Sequence, residues 1–248
     1  MTDQATTDTT TEMPQFYSDV VLLTSEKHSD WSLERDKGYQ FTAKSNSVYL
    51  STVEFRKACA EYPIVFIGSE DSVMPAALLS VKPDQNSFLL EDGTWDAKYI
   101  PAYVRRYPFI PANVGEDQLL VGLDENCDGL NQHDQGERLY TDEGEQTAYT
   151  KNIVSFLRDF QIENTKTSLF CERLIDNNLL KPMEGKVKIE NQDTILLKGF
   201  FIVDYAQLKK LKPNVLTKLL KSDDLDLIFS HLRSLDQFSK LAGNINKD

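Results

Sequence analysis

The stretch Thr147-Ala148-Tyr149-Thr150-Lys151-Asn152-Ile153-Val154-Ser155-Phe156-Leu157-Arg158-Asp159-Phe160 decides the fold class. Ile153, Phe156, Leu157 and Phe160 recur at helical spacing, and Leu169, Phe170, Leu174 and Ile175 continue the stripe. Residues three and four apart share a helix face, so long helix is predicted from Thr147 onward. Upstream the pattern is different. Val20 to Leu23, Tyr39 to Thr42, Val48 to Leu50, Ile64 to Ile67, Ala76 to Val81, Ser87 to Leu90 and Leu119 to Leu123 are apolar or alternating runs of strand length. Turn-forming segments such as Lys82-Pro83-Asp84-Gln85-Asn86 and Glu91-Asp92-Gly93 separate some of them. Short strands joined by tight turns pair antiparallel. The expected class is α+β, a mostly antiparallel sheet with a helix-rich C-terminal half.

Within the strand-rich half, Ser51 and Glu54 form a capping box. They predict a helix with Phe55, Ala58 and Cys59 on one face. After the long helix, Asn177-Asn178 ends the run, and Pro182 is read as confirming the stop. Val187 to Ile189 and Thr194 to Val203 predict a hairpin around Asn191-Gln192-Asp193. Tyr205 to Leu211 and Asn214 to Leu220 read as amphipathic helices parted by Pro213. Leu225, Leu227, Phe229 and His231 alternate like a strand, while Leu225, Ile228, Phe229, Leu232 and Leu235 fit a helix face. A strand passing into a helix accommodates both patterns. The late hairpin returns strands to the sheet, so one domain is expected over residues 16–248. Residues 1–15, Thr-rich and carrying Pro14, read as a disordered tail.

The 248 residues are 40% hydrophobic and 27% charged, with a net charge of −12. This is a globular composition. The negative balance argues against nucleic acid or an anionic membrane as partner, since either requires a basic face. Met1 precedes neither a basic segment nor an apolar one, and no apolar run approaches the ~20 residues that span a bilayer. Cytoplasmic location is the default expectation, with signal-less export or cell-surface association as the alternative. Cys59, Cys127 and Cys171 are odd in number and widely spaced, which argues against a disulfide framework or zinc cluster. Cys59 and Cys171 read as helix core residues. Cys127 stands among carboxylates, which raise a thiol pKa and make a poor nucleophile.

Several segments carry a family resemblance. They include Glu54-Phe55, Tyr62-Pro63-Ile64-Val65-Phe66, Pro75-Ala76-Ala77-Leu78-Leu79 and Gly93-Thr94-Trp95. The most specific is Tyr99-Ile100-Pro101-Ala102-Tyr103-Val104-Arg105-Arg106-Tyr107-Pro108-Phe109. Leu123-Asp124-Glu125, Leu179-Leu180-Lys181-Pro182-Met183, Gly199-Phe200, Val203-Asp204 and His231-Leu232-Arg233-Ser234-Leu235 follow in order. From about Val20 to Leu241 the chain resembles the SapC family. That resemblance implies a bacterial surface-layer-associated protein and supplies no catalytic residue. The Thr-rich tail and the acidic loop from Asp124 to Gly144 look particular to this member.

Three groups of residues invite chemistry. Arg105 and Arg106 lie amid Tyr99, Tyr103 and Tyr107. Guanidinium groups fork onto carboxylate or phosphate and stack on aromatic rings, so this block is the candidate binding surface. On a continuous helix Tyr99 and Tyr103 would share a face. His28-x-Asp30 with the distant His231 has the composition of a two-His, one-carboxylate Fe(II) site, as in non-haem oxygenases. Asp124-x-Asn126-x-Asp128-Gly129 matches the first half of a Ca2+ loop, but its twelfth position is Gln135 and Glu137 falls two residues late. No phosphate loop, G-x-S-x-G elbow or H-E-x-x-H occurs.

The leading expectation is a non-catalytic bacterial accessory protein with no cofactor, acting by protein–protein contact in surface-layer export or assembly. Its partner would be acidic, or a surface-layer or export component. The alternatives are a non-haem iron, oxygenase-like enzyme using His28, Asp30 and His231, and a calcium-stabilised surface-associated domain.

Overall fold

The computed structural model describes residues 13–113, 119–187 and 195–244. Its strands are β1 (Val20–Leu22), β2 (Ser32–Leu33), β3 (Ser47–Tyr49), β4 (Ile64–Ser69), β5 (Ser72–Leu78) and β6 (Phe109–Asn113). They continue with β7 (Leu119–Asp124), β8 (Leu130–Asn131), β9 (Glu137–Arg138), β10 (Leu180–Val187) and β11 (Ile195–Val203). The helices are α1 (Ser25–His28), α2 (Phe55–Ala58), α3 (Ala102–Arg105), α4 (Ala148–Asp176), α5 (Tyr205–Leu208), α6 (Pro213–Lys221), α7 (Asp224–Ser234) and α8 (Gln237–Asn244). Among the described residues the strands form three sheets, ordered β10-β11-β4-β5-β3, β1-β7-β6 and β8-β2-β9. Every pairing is antiparallel. The fold class is α+β, as the change of period at Thr147 predicts.

The centre of the largest sheet is β4. Ile64, Val65 and Phe66 are all buried, so both faces of the strand are covered. The hairpin to β5 runs in register from Ile64 opposite Ala77 to Ser69 opposite Ser72. Gly68 permits it: φ is +139°, and a Cβ there would meet the Ser72 carbonyl oxygen at 2.1 Å.

The long helix α4 joins two hydrophobic cores. Thr147 caps it by accepting a hydrogen bond from the Thr150 amide. Its 29 residues span about 43 Å. Leu157, near its start, packs with Phe109, Leu123 and Leu139 over the β1-β7-β6 sheet. Phe170, Cys171 and Leu174, near its end, pack with Phe55, Phe66 and Leu79 over the large sheet. One stripe in the sequence therefore serves two sheets. The Tyr99–Phe109 block is the crossover between them: Val104 belongs to the larger core and Phe109 opens β6 in the other.

Several local expectations are corrected. Gln40–Thr42 is a 3-10 turn, and Ser87–Leu90 contributes a single bridge, Leu89 to Trp95. The Ser51–Glu54 capping box is present, yet it opens a 3-10 turn followed by the single turn α2. Pro182 does not stop a helix; it lies inside β10. That strand is at the sheet edge, where a missing N–H breaks no inner ladder. The last ambiguous segment is wholly helical. Asp224, Ile228 and His231 fall on the buried face of α7, whereas Phe229 points outward and creates the false alternation.

Residues 1–12 of the expected tail, and the turn Asn191-Gln192-Asp193, lie outside the described residues. Residues 13–15 are bonded into the fold: the Pro14 carbonyl accepts from Tyr17 N, and Gln15 Nε2 donates to the Ser47 carbonyl at 2.9 Å. Among the described residues, no helix is long and apolar enough to cross a membrane.

Candidate functional site

The tyrosine–arginine block is held from beneath by one carboxylate. Glu54, fixed by its capping box, is buried. Its Oε2 accepts from Ser51 N at 2.8 Å and Ser51 Oγ at 2.7 Å. Its Oε1 accepts from Tyr99 Oη and from Ala102 N, both at 2.7 Å. The Ala102 amide is a first-turn N–H of α3, one of the donors a helix cannot satisfy itself. Tyr99 is also held from behind, because Trp95 Nε1 donates to Tyr62 Oη at 2.7 Å and Tyr62 Oη donates to the Tyr99 carbonyl. Tyr99 is thus an anchor. Pro101 intervenes before α3 begins at Ala102, so the helical face expected from Tyr99 and Tyr103 does not form.

Arg105 and Arg106 enter two different cavities. Arg105 Nε donates to the Ile100 carbonyl at 3.0 Å, and its guanidinium carbon lies 5.9 Å from the Tyr99 ring centre and 5.4 Å from that of Phe156. It borders a cavity of about 660 Å³ that Arg35, Lys37, Tyr107 and Tyr149 also line. Arg35 sits 5.9 Å from the Tyr149 ring centre. Lys37 pairs with Glu34 at 2.7 Å, and Asp128 stands on the same wall. Among the described residues no carboxylate pairs with Arg35 or Arg105.

Arg106 is 6% exposed. Its guanidinium carbon lies 3.8 Å from the Tyr103 ring centre, 5.0 Å from Phe160 and 5.4 Å from Tyr17. It borders a second cavity, of about 590 Å³, that shares no lining residue with the first. Among the described residues no carboxylate pairs with Arg106, and its Nε is buried without a hydrogen-bond partner. Burying an ion costs several kcal/mol. A desolvated cation–aromatic contact returns about 2 kcal/mol or somewhat more. Three rings together offset much of this cost, and the Nε still lacks a hydrogen-bond partner.

Tyr17, Tyr99 and Tyr107 are held as neutral phenols. Burial raises the pKa of Tyr17, against the opposing pull of Arg106. Burial, then the Glu54 charge, raises that of Tyr99. Burial leads again at Tyr107, whose ring stacks on Phe41 with centres 4.2 Å apart. Beside the arginine cations, Tyr17, Tyr99 and Tyr107 therefore present neutral hydroxyls.

The SapC family model matches residues 23–241, nearly the whole chain. This chain belongs to the SapC family. No curated protein and no solved structure matches it. In this SapC member the Tyr99–Phe109 block joins the two cores and carries both arginines.

The remaining candidates are dispersed through the SapC fold. His28 Nε2 is 3.0 Å from Glu125 Oε1, and its Nδ1 is 3.1 Å from the Thr24 carbonyl. The Asp30 carboxylate accepts from Gln132 Nε2 at 3.3 Å. His231 Nε2 accepts from Val203 N at 3.0 Å, beside the Phe66 ring. Each member of the expected iron set bonds to a different neighbour: His28 to Glu125, Asp30 to Gln132 and His231 to the Val203 amide.

The residues of the expected calcium set also have protein contacts. Asp124 is buried, and its oxygens accept from Ser18 N at 2.9 Å, Asp19 N at 3.1 Å and Asn126 N at 3.1 Å. Asn126 Nδ2 donates to Ser18 Oγ, while Asp128 lines the Arg105 cavity. The Asp124 carboxylate is thus ringed by backbone N–H donors of two segments. Among the described residues, no group of three or more His, Cys, Asp or Glu is arranged to hold a metal.

The Cys127 thiol pKa is raised chiefly by a different cause than the sequence suggests. At Cys127 burial is the larger cause of the raised pKa, with Asp124 and Asp128 secondary. Burial pushes Cys171 up to about 12. Sequence reasoning missed Glu54 as the anchor of the block, and it missed Tyr17 and Phe160 as walls around Arg106. Only the capping box pointed toward Glu54, and it says nothing of Tyr99 or Ala102, more than forty residues away.

Proposed function

We propose that this SapC-family chain is a non-catalytic accessory protein that works by contacting another protein. The contact surface is the cavity bordered by Arg105 and Arg35, and the partner offers an acidic segment. One observation carries this reading: two arginines without carboxylate partners among the described residues flank a floor of Tyr107, Tyr149 and Phe156. Aromatic residues and arginine are the side chains most enriched where interfaces concentrate their binding energy. The committed contacts of His28 and His231 and the raised thiol pKa values support a binding role over chemistry. The family resemblance implies surface-layer export or assembly as the setting.

The test is co-purification from the native cell, with fractionation, comparing wild type with an Arg35→Ala, Arg105→Ala double variant. Loss of a partner retained by wild type, with weaker capture at higher salt, is the expected result. Equal recovery by both proteins refutes the assignment of the surface.

A further inference from the structure

The Arg106 cavity is separate from the proposed protein-contact surface and has its own chemistry. A cavity of about 590 Å³ lies within the range of small-molecule sites, about 300–1,000 Å³. Its walls include Val48, Ile67 and Phe160, which are apolar. Arg106 lines it; this residue is 6% exposed, has no paired carboxylate among the described residues, and its Nε is buried without a partner. Asn164 supplies an independent observation. It lines the same cavity, and its Oδ1 is also buried without a hydrogen-bond partner. Buried polar groups are nearly always satisfied, so two unsatisfied ones in a single cavity mark a place where a ligand completes the bonding. A guanidinium fork fits a carboxylate or a phosphate, and the apolar walls fit a hydrocarbon body. The cavity reaches the surface, since Gln15, Met74 and Ser168 line it and are exposed.

We propose that this cavity binds a small amphipathic oxyanion, with its head on Arg106 and its apolar body along Val48, Ile67 and Phe160. The inference does not depend on the protein-contact reading, because the two cavities share no lining residue.

Isothermal titration with four probes tests it: decanoate, decyl phosphate, decanol and inorganic phosphate, each below its aggregation threshold. One or both decyl anions bind with a stoichiometry of one, and the preferred anion identifies the head group. Decanol binds at least tenfold more weakly, and inorganic phosphate shows no binding. Arg106→Gln abolishes the preference for the anion over decanol. Ser168→Phe, a change at the exposed rim, blocks entry without touching Arg106 and decides the matter if Arg106→Gln fails to fold. Arg105→Ala leaves the titration unchanged. The proposal is overturned if neither decyl anion binds below millimolar concentration, if decanol binds as tightly as the anions, or if Ser168→Phe binds like wild type.

Discussion

Replacing Glu54 with alanine should be among the most damaging single changes in this protein. The side chain is 3% exposed and receives four hydrogen bonds, two on each oxygen. Removing it leaves the Ser51 and Ala102 amides buried without acceptors. Each buried donor left unsatisfied costs about 1–3 kcal/mol. Water can reach part of this site once the side chain is gone, so a total of about 4 kcal/mol is the working value. Tyr99→Phe removes one donor and leaves the carboxylate three, which limits its cost to about 1 kcal/mol. Glu54→Gln falls between, because its amide group faces donors on one side. Urea unfolding of the three variants against wild type measures the order, with an unchanged m-value confirming that stability and not compactness has shifted. The double variant tests coupling: once Glu54 is alanine, Tyr99→Phe should cost almost nothing more. A cost below about 1 kcal/mol for Glu54→Ala would refute the claim that this carboxylate anchors the arginine-bearing block.

Three other outcomes follow from named contacts. Burial pushes His231 from 6.5 down to about 4. Between those values the unfolded chain binds more protons, so stability is fully present above pH 6.5 and falls as the pH drops toward 4. A gap of this size is worth about 3 kcal/mol, and urea titrations across that window should show a steeper loss for wild type than for His231→Gln. Arg173→Met should cost about 3 kcal/mol, since Asp224 is buried and takes Arg173 Nε at 2.6 Å and Nη2 at 2.7 Å. By contrast Arg56→Met, which breaks an exposed pair with Asp226, should stay within about 0.5 kcal/mol in the same assay. Cys59 and Cys171 are buried, so a thiol reagent should label them only after denaturation; rapid labelling of either in the native protein would contradict their place in the core.

Legibility in the sequence depended on the distance over which a cause acts. The helix stripe from Ile153 to Ile175 was readable because a 3.6 period is a local property of the chain. Its division between two cores was not, since that depends on where Phe109 and Phe66 lie, each far from it in sequence. The Ser51–Glu54 box was readable as a cap, yet the helix it announces is a single turn, because Pro63 and the buried β4 pull the chain away. Phe229 misled by facing solvent: an alternation of apolar residues counts only when all of them are buried. At the candidate site, the adjacency of Arg105 and Arg106 suggested one basic patch. Successive residues on a turn of helix point about 100° apart, and the packing of Tyr103 and Phe160 sends the second arginine inward.

The chain alone determined the α+β class, its antiparallel pairing, the change to helix at Thr147 and membership of the SapC family. Each of these rests on periodicity, turn chemistry or ordered motifs, and all are carried by neighbouring residues. Tertiary structure alone decided that Glu54 holds the block, that the arginines border separate cavities, and that His28, Asp30 and His231 each bond to a different neighbour. A charge acquires its role from what is buried beside it: Tyr103 is a neighbour of Arg106 on its own helical turn, but Tyr17 and Phe160 come from distant segments brought there only by packing.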